Sequence, residues 1–324
     1  MDAPTPPLAI GTDELAASLP PGPRRDYAQA QHEVLAHHGT RAHSVRVDLA
    51  DPPLGAHVLL AGTGDPVVVV HGGNGTAVMM EPLLGSLASE HAVFAPDRPG
   101  CGLSDRFDYA GVDIRRHAVR WLTSLFDALG LQRAALVANS MGGYWSLCFA
   151  LEHPERVSRL ALVGEPAGSA EKVAFPFRVL AMPGFNRLLF ATRLKPSPGS
   201  VRATYSGRLV HDVGRVGDVH LQAALAGARI PGAQLAWRTI VERAAAPWIR
   251  RSPLTHALRP ELPGLRVPTL FVWGADDRLG PPSLGEQMAE MIPDGHVVTV
   301  ADAGHLVWLD QPELVSKTVL DFLR

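Results

Sequence analysis

Apolar residues in this chain fall into short unbroken runs, and between the runs they recur every three or four positions. The sharpest run is PVVVV at 66–70, four valines bounded by Pro66 and by His-Gly-Gly-Asn-Gly. A β-branched run of that kind predicts a strand covered on both faces. Similar runs predict strands at AVFAP (92–96), AALVAN (134–139), RLALVG (159–164), TLFVWG (269–274) and HVVTV (296–300). Helical spacing predicts helices near 113–129, from Met141 onward and near 313–323. Upstream, RRDYAQAQHEVLAHHG predicts a helix ending at Gly39, and HSVRVDL and HVLLAG alternate as edge strands do. Apolar strands separated by amphipathic helices mean an α/β fold, a mostly parallel, doubly wound sheet with helices on both faces. In such sheets ligands bind beyond the carboxyl ends of the strands.

Two stretches break the alternation. Residues 1–23 carry Pro4, Pro6, Pro7, Pro20, Pro21 and Pro23, which remove backbone donors and predict a loosely docked arm. Residues 165–262 hold 14 Lys and Arg against 6 Asp and Glu, a net +8 that leaves −10 for the rest of the chain. Short helical stretches there carry Phe175, Phe177, Phe185, Phe190, Trp237 and Trp248 between prolines, a composition suited to a helical lid whose aromatics serve as its core. The expected organisation is an N-terminal arm and helix at 1–40, a core at 41–164 and 263–324, and a lid at 165–262.

Composition narrows the function. With 324 residues, 46% hydrophobic and 19% charged, the chain suits a packed globular enzyme rather than a disordered or fibrous protein. A net charge of −2 supplies no basic field for nucleic acid. Cys101 and Cys148 make neither a disulfide framework nor a zinc site. No cationic start precedes an apolar run and no apolar stretch reaches about 18 residues, so a soluble, cytoplasmic protein without a membrane span is expected. Two partial motifs fall away. In DRPGCGLSD the third glycine of a dinucleotide loop is replaced by Asp105. His32 and His37 in HEVLAHH lie five residues apart, about 140° around a helix, too divergent for one metal. Neither cofactor nor metal is implied, and nothing in the sequence sets an oligomeric state.

The chemistry concentrates in LVANSMGGYWSL. Ser140 ends an apolar strand and begins a helix, a tight turn that strains the serine backbone and needs small residues two positions either side, which Ala138 and Gly142 are. The Met141 amide lies at the helix N-terminus, aimed at negative charge developing on a bound carbonyl. Here the chain resembles the α/β-hydrolase superfamily, whose usual elbow is Gly-x-Ser-x-Gly, with Ala138 in the first position. The NSMGG wording is similar to elbows of lid-bearing esterases and of hydrolases that cleave carbon–carbon bonds in ring-fission products.

Further segments follow in the order Ser, Asp, His that the superfamily uses. After the valine strand comes HGGNG, where the resemblance implies that the Gly73 amide joins Met141 in an oxyanion hole and that His71 is structural. In FVWGADDRLGPP the family's Gly-x-x-Asp register runs from Gly274 to Asp277, with Asp276 a solvated neighbour; Glu165, just past RLALVG, is the rival acid. ADAGHLVWLDQPE places His305 in a position that matches the family's Gly-His loop. The Asp-x-x-Gly-x-Gly loop at 97–105 is similar to a structural element of the family.

The resemblance implies a serine hydrolase cleaving a small-molecule carboxylic ester through an acyl-enzyme, with Ser140 as nucleophile, His305 as base and Asp277 orienting the ring. A carbon–carbon hydrolase acting on a vinylogous diketone acid is the alternative, although ring-fission hydrolases often carry Trp directly after the catalytic His and Leu306 stands here. A non-catalytic ligand receptor is a third possibility. Family members that attack epoxides or haloalkanes use Asp where this chain has Ser140.

Overall fold

In the computed structural model the described residues are 9–173, 175–192, 194–246 and 248–324. Among these residues nine strands form one sheet in the order β1-β2-β3-β5-β4-β6-β7-β8-β9. They are β1 Ile10–Gly11, β2 Ala42–Ala50, β3 Pro53–Ala61, β4 Pro66–Val70, β5 Ala92–Pro96, β6 Ala134–Ala138, β7 Val157–Val163, β8 Thr269–Gly274 and β9 Gly295–Val300. β1 to β3 and the β3–β5 pair are antiparallel; every pairing from β5 to β9 is parallel.

The valine run behaves as its composition requires. Successive strand side chains point to opposite faces, so Val68 and Val70 join a core containing Trp121, Trp145 and Phe149, whereas Val67 and Val69 join one containing Met80, Leu84 and Trp308. Both faces of the central strands are therefore dry, and only the strand ends are available for polar chemistry.

Two expectations fail at the N-terminal side. HVLLAG lies in β3, which sits between β2 and β5 and is largely buried, rather than at an edge. The arm is not loose where it is described: β1 pairs with β2 at Ile10 and Ser44, and the helix Thr12–Ser18 buries Ala16 beside the helix Pro23–His37. The prolines punctuate rather than prevent structure. Pro20 and Pro21 lie between the helices, and Pro23 occupies a first turn, where a missing N–H costs nothing. Pro4, Pro6 and Pro7 lie outside the described residues.

Between β7 and β8 the chain inserts short helices, Phe175–Leu180, Phe185–Ala191, Pro198–Thr204, Asp218–Arg229, Ala233–Ala245 and Thr255–Leu258. Their aromatics form no core of their own, although Phe177 and Trp237 pack against the core of the sheet. Phe175 and Trp248 are 75% and 72% exposed and Phe185 is exposed too, while Phe177, Phe190 and Trp237 are half-buried. Two-turn helices have one sheltered side; on Phe185–Ala191 that side is Asn186, bonded to Glu242. The helix Ala233–Ala245 lies on the core through Thr239, whose hydroxyl accepts from the Tyr109 amide. Ala236 rests on Gly100, where a Cβ would collide with it. Among the described residues no helix is long and apolar enough to cross a membrane.

Candidate active site

β6 ends at Ala138, Asn139 is still extended, and Ser140 opens the helix Ser140–Glu152 with φ of +52°. Among the described residues only Ser140 and Asp302 are non-glycines with positive φ. A serine there costs on the order of 1–3 kcal/mol, which its surroundings must supply. The Asn139 amide donates to Val70 O (3.1 Å), its side chain donates to Val163 O (2.6 Å), and the Ala167 amide donates to Ser140 O (2.9 Å). Gly142 is required by space: a Cβ would collide with the Val70 carbonyl and lie 2.6 Å from that of His71.

Asp277 and His305 come from the loops after β8 and β9 and meet in a hydrogen bond of 2.8 Å from Nδ1 to Oδ2, with side chains 0% and 2% exposed. A carboxylate only accepts, so Nδ1 donates and Nε2 is the atom open to take a proton. Asp277 also accepts from the Glu165 amide (3.2 Å) and the Leu279 amide (2.9 Å). Burial opposes charge on the His305 ring, yet the adjacent Asp277 carboxylate, its hydrogen bond and Glu165 outweigh it and hold the pKa above the ordinary value.

Gly164 binds these parts to the Ser140 turn. A Cβ there would collide with His305 O and lie 2.8 Å from Asn139 Nδ2, so the His305 loop and the Ser140 turn flank one glycine at the carboxyl end of β7. The structure thus joins Asp277 to His305 directly and brings the His305 loop and the Ser140 turn together at Gly164, with no hydrogen bond between the Ser140 hydroxyl and the ring among the described residues. Between the two acids left open by sequence, the ring bonds Asp277. Glu165 is buried alongside, its Oε1 accepting from the Ser169 amide, and burial pushes its pKa to about 7. Asp276 is exposed and holds His211 Nδ1 at 2.8 Å.

The 71–75 loop lies against Ser140: a Cβ on Gly72 would be 3.1 Å from Ser140 Cβ. Gly73 lies under Trp237, whose Cη2 would be 3.0 Å from an added Cβ. Met141 is buried in the first turn of its helix, where backbone amides lack intrahelical acceptors. His71 is structural, as expected. Its Nε2 accepts from the Arg98 amide, its Nδ1 bonds Gly72 O, and burial depresses its pKa to about 3. The 97–105 loop is likewise framework, with Asp97 accepting from His57, Ala77 and Leu103.

Two residues were not anticipated. Arg98, 1% exposed, gives its guanidinium to the carbonyls of His71, Gly72 and Gly73. Asp310, also buried, accepts from the amides of Gly304, His211 and Asp212. Only their positions in DRPGCG and five residues after His305 could have drawn attention to them. Among the described residues, His211, Asp276 and Asp302 are the set whose donor atoms could surround a metal ion, and all three are exposed.

The family model for the alpha/beta hydrolase fold matches residues 65–312. The chain belongs to the α/β-hydrolase fold family. One relative, a 2-hydroxy-6-oxo-6-phenylhexa-2,4-dienoate hydrolase of Burkholderia cepacia, is 30% identical over 274 residues, covering 82% of this chain and 90% of the relative. Among solved structures, carboxylesterase CesB from Bacillus subtilis superposes with a TM-score of 0.73 at 22% identity, covering 93% of this chain and 98% of its own. A 2-hydroxy-6-oxo-6-phenylhexa-2,4-dienoate hydrolase from Rhodococcus sp. strain RHA1 gives 0.70 at 21%, covering 87% and 99%. At those identities the two structures speak for the fold alone. The protein is an enzyme, a hydrolase of this family.

Proposed function

We propose that the protein hydrolyses carboxylic esters of small molecules through an acyl-enzyme, with Ser140 as nucleophile, His305 as general base and Asp277 orienting the imidazole. The observation that carries the reading is the buried Asp277–His305 pair beside a serine held at positive φ. A serine hydroxyl is a poor nucleophile at neutral pH. His305 Nε2 takes the proton as Ser140 Oγ attacks the ester carbonyl, and the ring becomes an imidazolium that Asp277 stabilises. The Gly73 and Met141 amides form an oxyanion hole for the tetrahedral intermediate. Collapse expels the alcohol, which receives the proton from His305; water, deprotonated by the same ring, then releases the acid and restores the hydroxyl. Residues 165–262 act as the lid, with Trp237 over the acyl-binding side.

A second reading is favoured by the Burkholderia cepacia relative: hydrolysis of a carbon–carbon bond in a vinylogous diketone acid at the same serine. The test is turnover of p-nitrophenyl butyrate and of a synthetic 2-hydroxy-6-oxodienoate by the wild type and by Ser140→Ala. Ester turnover lost in the variant upholds the first reading. Dienoate cleavage with esters untouched replaces it with the second.

A further inference from the structure

We infer that Arg98 is a positioning residue that sets the orientation of three successive amides in the 71–75 loop, the Gly73 oxyanion donor among them. This rests on the acyl-enzyme reading above and deepens it. In a planar trans peptide the C=O of one residue and the N–H of the next point in opposite directions. Arg98 Nε donates to His71 O at 3.1 Å, and its Nη2 donates to Gly72 O and Gly73 O, each at 2.7 Å. Gathering those carbonyls on one guanidinium turns the N–H groups of Gly72, Gly73 and Asn74 to the other side of the loop. None of these three N–H groups has a protein acceptor among the described residues.

The loop needs such a brace because of its own composition. Gly72 and Gly73 admit no Cβ: one would collide with Asn139 Oδ1, the other with the Trp237 ring. Glycine satisfies the space but leaves its peptide planes free to rotate. Three carbonyls crowded together also repel one another unless a cation lies between them. Arg98 meets both demands. Its planar fork reaches several acceptors at once, which a lysine ammonium on a flexible stem does not reproduce. The guanidinium lies over the Trp145 ring at 4.9 Å, and its backbone amide is fixed by His71 Nε2. It forms no ion pair among the described residues, so its charge acts from behind the amides, with the sign that favours an oxyanion in front of them.

The test compares the wild type with Arg98→Lys and Arg98→Met, in the full chain. Three quantities are read: hydrogen exchange of the peptide spanning 71–75, kcat and KM for p-nitrophenyl butyrate, and inhibition by a phenylboronic acid against inhibition by butyrate. A boronate on Ser140 presents a tetrahedral oxygen to the amides, whereas butyrate reports ground-state binding. Arg98→Met is expected to speed exchange across 71–75 and to lower kcat about 100-fold, the cost of losing an oxyanion donor, with KM within about threefold. Boronate affinity should fall with kcat while butyrate affinity holds, and Arg98→Lys should recover only part of the loss. Unchanged exchange in the variants overturns the inference. So does an equal weakening of boronate, butyrate and KM, which marks general loosening. If Arg98→Met does not fold, Arg98→Lys carries the same comparison. A wild type inactive on esters defeats the ester reading instead, and boronate binding with loop exchange still decides the role of Arg98.

Discussion

The Gly304 amide donates a 2.8 Å hydrogen bond to the buried carboxylate of Asp310, one residue before His305. The same carboxylate accepts from the amides of His211 and Asp212, in the segment inserted between β7 and β8. A single side chain thus fastens both the loop that carries His305 and a middle stretch of the insertion.

Asp310→Ala leaves the buried Gly304 amide and the part-buried amides of His211 and Asp212 without this acceptor. Each unsatisfied group costs about 1–3 kcal/mol. We expect a thermal midpoint lowered by several degrees, and a drop in kcat that persists at temperatures where the variant is fully folded. Retention of both would show that water or a neighbouring group replaces the carboxylate.

Adjacent aspartates should differ sharply. Asp277→Asn removes the acceptor that fixes the His305 tautomer and is expected to cut kcat by about 10⁴, whereas exposed Asp276→Asn should change it less than threefold. Steady-state kinetics with one ester decides, and the reverse ranking would reassign the acid.

The pH profile carries the mark of Glu165. With His305 as the proposed base, activity is expected to need its neutral form, so kcat/KM should rise with pH through the pKa of the ring, held above its ordinary value. Glu165, with a pKa near 7, is one of the groups that hold it there. Glu165→Gln should therefore shift the acid limb to lower pH. An unmoved limb would show that Glu165 stays protonated while the ring titrates.

Glu81 offers a test by stability alone. It is fully buried, and burial lifts its pKa from 4.5 to about 7. The folded state then holds the proton more tightly than the unfolded chain. The group's cost is absent below about pH 4.5 and grows on the order of 3 kcal/mol as pH rises through 7. Glu81→Gln is expected to gain stability relative to wild type at pH 8 compared with pH 5, measured by urea unfolding. A difference independent of pH would refute it.

How far the chain could be read depended on whether each signal is local. PVVVV announces a strand because a run dry on both faces requires nothing from elsewhere. The Ser140 turn was equally plain, since its strained backbone dictates small neighbours in sequence. The register from Gly274 favoured Asp277 but left Glu165 as its rival, because both follow strand ends and only the fold determines which reaches the ring. Arg98 and Asp310 went unseen: in a sequence, a charged residue buried among backbone amides and carbonyls is indistinguishable from one in water. Phe175, Phe185 and Trp248 misled for the opposite reason, as hydrophobicity predicts burial only when an element has a partner broad enough to cover it.

Trp237 on Gly73 and Ala236 on Gly100 bring the helix Ala233–Ala245 into direct contact with the two loops beneath it, which offer no side chain at those points. On the ester reading, room for a bulkier acyl group would come from that helix. Substitutions along that one helix are then expected to alter selectivity while the loops beneath keep their geometry.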